Sequence, residues 1–216
     1  MRSNFDSNPV VRAVRQRLPS LIYEVLIEGY CTWWDASVRT YDAKENSVTA
    51  SLLPFFARAG IDPRRAMTIV RNAASSTATI EAGCADPDTA PLPDISVYLP
   101  NSVVPVGCVE CKWVMRSPPR ASDITQYVDE GIARFAPGGP YQGLSRVSVM
   151  LGYAIERGAI PRLVDRINLR VCKQYSVVNI LVHNGPVHGH EDSYESRPYD
   201  HLQHLFLEIP RTRIRP

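Results

Sequence analysis

Residues 92–114 read LPDISVYLPNSVVPVGCVECKWV, and the fold turns on this run. "DISVYL" and "VPVGCVECKWVM" are rich in β-branched and apolar residues. The "PNSV" between them supplies turn chemistry at Pro100 and Asn101, so the spacing predicts two strands of a hairpin. Side chains alternate along a strand, which puts Cys108, Glu110 and Lys112 on one face and Val109, Cys111 and Trp113 on the other. The second, apolar face goes to the core. Glu110 and Lys112 then stand side by side on a surface that is either solvated or part of a site. Asp94 opens the first strand, and hairpin pairing brings its carboxylate toward Glu110.

Upstream, "NPVVRAVRQRLPSLIYEVLIEGYCTWW" has apolar residues at helical spacing around Leu21, Val25, Leu26 and Tyr30. It predicts one or two helices, broken near Pro19. In "YDAKENSVTASLLPFFARAGI", Val48, Leu52, Phe55 and Phe56 share a face, predicting a helix from about Lys44 to Ala59 with Gly60 as its stop. A short helix is expected at "DPRRAMTIV", with Pro63 in its first turn, and a strand at "STATIEA".

Downstream of the hairpin, "ASDITQYVDEGIARF" reads as a helix capped by Ser122 or Asp123. "RVSVMLGYAI" fits a buried strand or a short helix. "IPRLVDRINLRV" reads as a helix, "YSVVNILVH" and "HLQHLFLEIP" as strands, and "NGPVHGHEDSYESRPYD" as a polar loop. Helices, a strand cluster, a helix and more strand together predict an α/β or α+β sandwich. At 216 residues and 44% hydrophobic, the chain is expected to form a single domain, with residues 1–40 as an N-terminal helical extension.

No apolar run is long enough to cross a bilayer, and the first residues lack the plan of a signal peptide. An odd five cysteines make no disulfide framework. A cytoplasmic protein with reduced thiols and no membrane partner is expected. The net charge of +2 means that a polyanion would have to meet a local basic patch. Lysine is rare (Lys44, Lys112, Lys173) and arginine abundant, as genomic base composition alone can arrange.

Two carboxylates and an ammonium converging on one strand pair carry chemical meaning. Like charges repel and favour a hard cation such as Mg²⁺, which takes one or two carboxylates with waters and phosphate oxygens. Such a site suits phosphodiester cleavage, with the lysine orienting water or steadying transition-state charge.

Pro93-Asp94 followed after a hairpin by Glu110-Cys111-Lys112 resembles the PD-(D/E)XK nuclease superfamily. The resemblance, over roughly Lys44 to Phe135, implies a restriction-endonuclease-like α/β core, a mixed central β-sheet flanked by α-helices. It implies metal ligation by Asp94, Glu110 and the Cys111 carbonyl, with Lys112 positioning water. Glu45 would complete the site from the preceding helix, with Glu24 or Glu28 as weaker candidates, and Gln126 would face it from the following helix. One branch of the superfamily has a tyrosine four residues after that glutamine; here Glu130 holds the place and Tyr127 is adjacent. "SYESRPYDHLQHLFLEI" looks like the closing strand of some bacterial defence and restriction nucleases. The implied activity is a Mg²⁺- or Mn²⁺-dependent endonuclease acting on DNA in restriction or phage defence, as a homodimer or with a partner protein of such a system.

Blander readings stand beside these. Glu110 and Lys112 could be a solvated ion pair. Cys108 and Cys111 spell a C-x-x-C, but on a strand they point to opposite faces and cannot chelate one ion, leaving buried structural cysteines as the simpler reading. His183, His188 and His190 are expected to be solvated, and Trp33 and Trp34 to pack rather than stack on bases. Arg116 and Arg120, just past the second strand, are candidate phosphate contacts, as is "RTRIRP". Two other function classes remain: a catalytically inactive nuclease-like scaffold or binding subunit, and a zinc- or cluster-binding regulatory domain.

Overall fold

A computed structural model of the chain describes residues 9–36, 44–72, 92–115, 120, 122–155, 157–175, 181–185, 191–196 and 202–214. Helix α1 (Pro9–Asp35) runs through Pro19 without a break. A proline inside a helix loses a hydrogen bond and presses on the preceding turn, at about 3 kcal/mol. Leu18, Ile22, Val25 and Leu26 are all buried around it, and full burial of one such side chain contributes about 1.5–3 kcal/mol. The apolar stripe therefore overrides the proline, and the interruption expected near Pro19 does not occur. Helix α2 (Glu45–Gly60) buries Val48, Leu52 and Phe56 in the same layer.

The short helix expected at Asp62 does not form. The Asp62 carboxylate accepts the Arg64 N–H at 2.9 Å, and Ala66 adopts φ +48°, which a right-handed helix cannot continue. The Met67 N–H then bonds back to the Gly60 carbonyl, and the chain enters strand β1 (Thr68–Arg71). The strand expected at "STATIEA" lies outside the described residues.

The hairpin forms as β2 (Ile95–Tyr98) and β3 (Gly107–Met115), antiparallel, with Ile95 opposite Val109. Asn101 takes the left-handed conformation in its turn (φ +61°), as asparagine tolerates. Helix α3 is built from Ser122–Gln126, a wide π-helical stretch Tyr127–Ile132 and a closing turn Ala133–Phe135. At its start the Asp123 carboxylate accepts the Arg120 N–H at 3.3 Å. "RVSVMLGYAI" becomes strand β4 (Val147–Ala154), and α4 (Ile160–Tyr175) follows. Strands β5 (Leu181–Gly185), β6 (Glu191–Ser196) and β7 (Leu202–Glu208) end the fold. β6 falls inside the stretch expected to be a polar loop. Its "EDSYES" carries no apolar alternation, and its strand is defined by antiparallel pairing to β5 and β7.

The seven strands form one mixed sheet in the order β1-β2-β3-β4-β7-β6-β5, with β3, β4 and β7 parallel at its centre. Central parallel strands need cover on both faces. One face packs Val109, Cys111, Trp113, Leu151 and Leu205 against α1 and α2. The other packs Cys108, Met150 and Phe206 against α3 and α4. This is an α/β architecture with a mixed sheet flanked by helices. Among the described residues, no helix is long and apolar enough to cross a membrane.

Candidate active site

β2 stops pairing at Ile95, while β3 continues for several residues with a strand neighbour, β4, on one side only. Backbone N–H groups on the other side need acceptors, and two acidic side chains supply them. The Cys111 N–H donates to Asp94 Oδ2 at 2.7 Å. The next outward-pointing N–H, that of Trp113, donates to the Glu45 carboxylate. Both acids thus serve as caps on the open edge of β3, and both are fixed from behind. The Asp94 carbonyl accepts the Asn72 N–H at 3.1 Å. Glu45 opens α2, and one turn later the Thr49 hydroxyl lies 3.0 Å from the Tyr153 hydroxyl of β4.

Glu110 projects from β3 toward α3 and is 2% exposed, so the solvated-pair reading does not hold. Lys112 bends over the strand edge and directs its donors at three oxygens: Glu110 Oε1 at 2.7 Å, the Cys111 carbonyl at 3.1 Å and Glu45 Oε1 at 3.2 Å. A second cation comes from α3. Arg134 Nε lies 3.2 Å from Glu110 Oε1 and its Nη1 donates to the Tyr141 hydroxyl at 2.7 Å. Tyr141 donates in turn to the Leu92 carbonyl, two residues before Asp94.

Gly131 lets α3 come this close. A Cβ there would meet Met150 Cε at 2.4 Å and the Lys112 stem at 3.4 Å. The helix consequently lies directly on the Glu110–Lys112 face.

The electrostatics follow from burial and crowding. Desolvation, aided by the Asp94 charge, pushes the Glu110 carboxyl up to about 7, against the pull of Lys112 and Arg134. Desolvation also raises Glu45, partly offset by Lys112. For Lys112, burial works against its charge, but Glu110, Glu45 and Asp94 together hold the ammonium above its ordinary range. The lysine is therefore a permanent cation among acids, one of which exchanges its proton near neutrality.

The oxygens suit a hard cation in kind. Glu110 Oε2 is buried and has no hydrogen-bond partner among the described residues, although a buried carboxylate oxygen wants one. Asp94 and the Cys111 carbonyl lie on the same strand edge. Among the described residues no three Asp, Glu, His or Cys side chains form a metal cage of their own. One or two carboxylates with a carbonyl and waters is the set that Mg²⁺ takes.

The other candidates are distributed as follows. Gln126 is half-buried in α3, and the same helix brings Arg134 to Glu110. Glu24 and Glu28 pair with Arg65, at 3.9 and 2.6 Å. Arg120 is exposed at the entrance to α3, while Arg116, His188 and His190 lie outside the described residues. Trp33 is core, stacked on Tyr30 with the Arg213 guanidinium over it. Cys108 and Cys111 do face opposite layers. Burial pushes the Cys108 thiol up to about 11 and the Cys111 thiol well above its ordinary value, so neither is poised as a thiolate. Sequence reasoning missed Arg134 and Tyr141, which lie 24 and 31 residues beyond Glu110 with no motif spacing to join them to it.

No family model matches this chain, and no curated protein and no solved structure does either.

Proposed function

We propose that the chain is a metal-dependent nuclease of the restriction-endonuclease-like type, hydrolysing phosphodiester bonds of DNA. The reading rests on one observation: Glu110 and Glu45 meet a single buried lysine at the open edge of β3, Asp94 caps the same edge through the Cys111 N–H, and Glu110 keeps a buried oxygen without a partner among the described residues. Asp94, Glu110 and the Cys111 carbonyl would hold a Mg²⁺ or Mn²⁺ ion, with Glu45 supporting it or its water. When bound, such an ion polarises the phosphate and acidifies a water. Lys112 is charged throughout and places its ammonium at the strand edge, where negative charge grows as the phosphorus is attacked. Gln126 stands in the helix that covers the site. The Pro93-Asp94 and Glu110-Cys111-Lys112 spacing supports the same reading and, by resemblance alone, a role in restriction or phage defence.

The test is cleavage of plasmid and single-stranded DNA by wild type and Lys112→Ala, with Mg²⁺, with Mn²⁺ and with chelator. Cutting that needs the metal and is lost in the variant supports the reading. Its absence with every metal rejects hydrolysis.

A second reading has its own observation. Lys112 already spends its donors on three oxygens, as it would in a structural ion cluster of an inactive scaffold. That reading predicts no rise in thermal stability with Mg²⁺ or Mn²⁺, and nuclease function predicts a rise that Asp94→Asn abolishes.

A further inference from the structure

Arg134 is held more firmly than a surface arginine needs to be. Its Nε donates to the Glu130 carbonyl at 2.7 Å and lies 3.2 Å from Glu110 Oε1. Nη1 donates to the Tyr141 hydroxyl at 2.7 Å, and the guanidinium carbon sits 5.3 Å from the centroid of the Tyr141 ring. Tyr141 is itself buried and tied to the Leu92 carbonyl at 2.9 Å. The fork is thus fixed in plane and orientation by a helix carbonyl, an acid and a phenol.

Two features make this more than a structural clamp. The side chain remains 39% exposed directly beside the 2%-exposed Glu110, and among the described residues its Nη2 has no partner. A preoriented guanidinium with a donor edge left over is the geometry that recognises a phosphate or carboxylate oxygen. At the mouth of a site read as a nuclease, the oxygen that this edge would meet is that of a phosphodiester.

We infer that Arg134, steadied by Tyr141, contacts the nucleic-acid backbone, donating from its remaining guanidinium edge to a non-bridging oxygen of a phosphate at the mouth of the site. This rests on the nuclease reading for its substrate class but not on hydrolysis or on a metal. Arg134 would bind and orient the phosphate and, by staying next to Glu110, balance the acids when no ion is there.

Fluorescence anisotropy with labelled single-stranded and duplex oligonucleotides, in chelator and over a range of salt, tests it on the full chain. Arg134→Ala is expected to weaken binding about tenfold or more and to flatten the slope of log Kd against log salt by about 0.7–0.9. A merely structural arginine would leave that slope alone. Arg134→Lys keeps the charge without the fork, so it should keep the slope and regain part of the affinity; Tyr141→Phe should weaken binding less, with the slope intact. Near-UV circular dichroism from Trp33 and Trp113 checks that each variant is folded.

Unchanged affinity and slope in folded Arg134→Ala overturn the inference, as does a wild type that binds no oligonucleotide. Cleavage assayed in parallel separates the two ideas. A wild type that cuts, with binding indifferent to Arg134, leaves the nuclease reading standing and removes this one. Arg134-dependent binding without cutting by any metal does the reverse.

Discussion

Two buried polar clusters sit on the same side of the sheet, and they have opposite characters. At the edge of β3, Glu110 and Lys112 are enclosed with Asp94, Glu45 and Arg134 around them. In the middle of β7, His204 is fully buried with its Nδ1 2.9 Å from the Tyr127 hydroxyl, and no charged group shifts its titration. Burial alone pushes the His204 imidazole down to about 3, so it stays neutral at every working pH. Burial among charges leaves Lys112 permanently charged and brings Glu110 to about 7. Enclosure by itself silences a titratable group; enclosure with opposing charges at a strand edge keeps it reactive.

The comparison breaks most visibly at Lys112. Lys112→Ala is expected to lower metal-dependent cleavage about 10²–10³-fold. It should also destabilise the fold by about 3 kcal/mol or more, since it leaves buried acids without their cation. Rates of plasmid nicking and urea denaturation read the two effects separately.

Stability against pH sharpens the contrast, because the two clusters act with opposite sign. Folded Glu110 holds its proton more tightly than the unfolded chain does. Its contribution is greatest below about pH 4.5 and falls by up to about 3 kcal/mol as pH rises to about 7. Glu45, also raised, acts in the same sense. Folded His204 holds its proton less tightly, so its contribution is full above about pH 6.5 and is lost as pH falls. Between about pH 4.5 and 6.5 the two oppose each other. Glu110→Gln should then make stability rise with pH across this window, and His204→Leu should make it fall. Thermal melts of both variants at pH 5.0 and 6.5 check the signs. If Glu110 must be ionised to hold a cation, wild-type cleavage rises with pH through about 7 although Glu110's share of stability declines.

The smallest effects belong to the silent cluster. Tyr127→Phe or His204→Leu alone strands one buried polar partner, at about 1–3 kcal/mol. The double variant should be nearly neutral, and none of the three should alter cleavage.

Much of the site was legible because its parts obey short-range rules. A period of two sets the facing of Glu110 and Lys112. The Pro100-Asn101 turn fixes which residue of β2 comes beside them, and helical periodicity from Val48 to Phe56 puts Glu45 at the head of α2. What escaped depends on tertiary contact. Arg134 reaches Glu110 only because α3 packs on β3 and β4, and Tyr141 only because the chain after α3 returns to Leu92. β6 was invisible because pairing, not its own composition, makes it a strand. Pro19 misled for the opposite reason: a local rule was outweighed by burial.

The π-helical stretch Tyr127–Ile132 gives α3 one more residue than an ordinary helix would use to climb the same distance. A wide turn absorbs that residue, so the turn after it keeps the facing that a regular helix one residue shorter would give it. Deleting one residue within Tyr127–Ile132 is then expected to close the stretch to an ordinary α-helix with Arg134 still turned toward Glu110. The bulge thus acts as slack in the chain, in which a residue can be gained or lost while the charge at the site stays where it is.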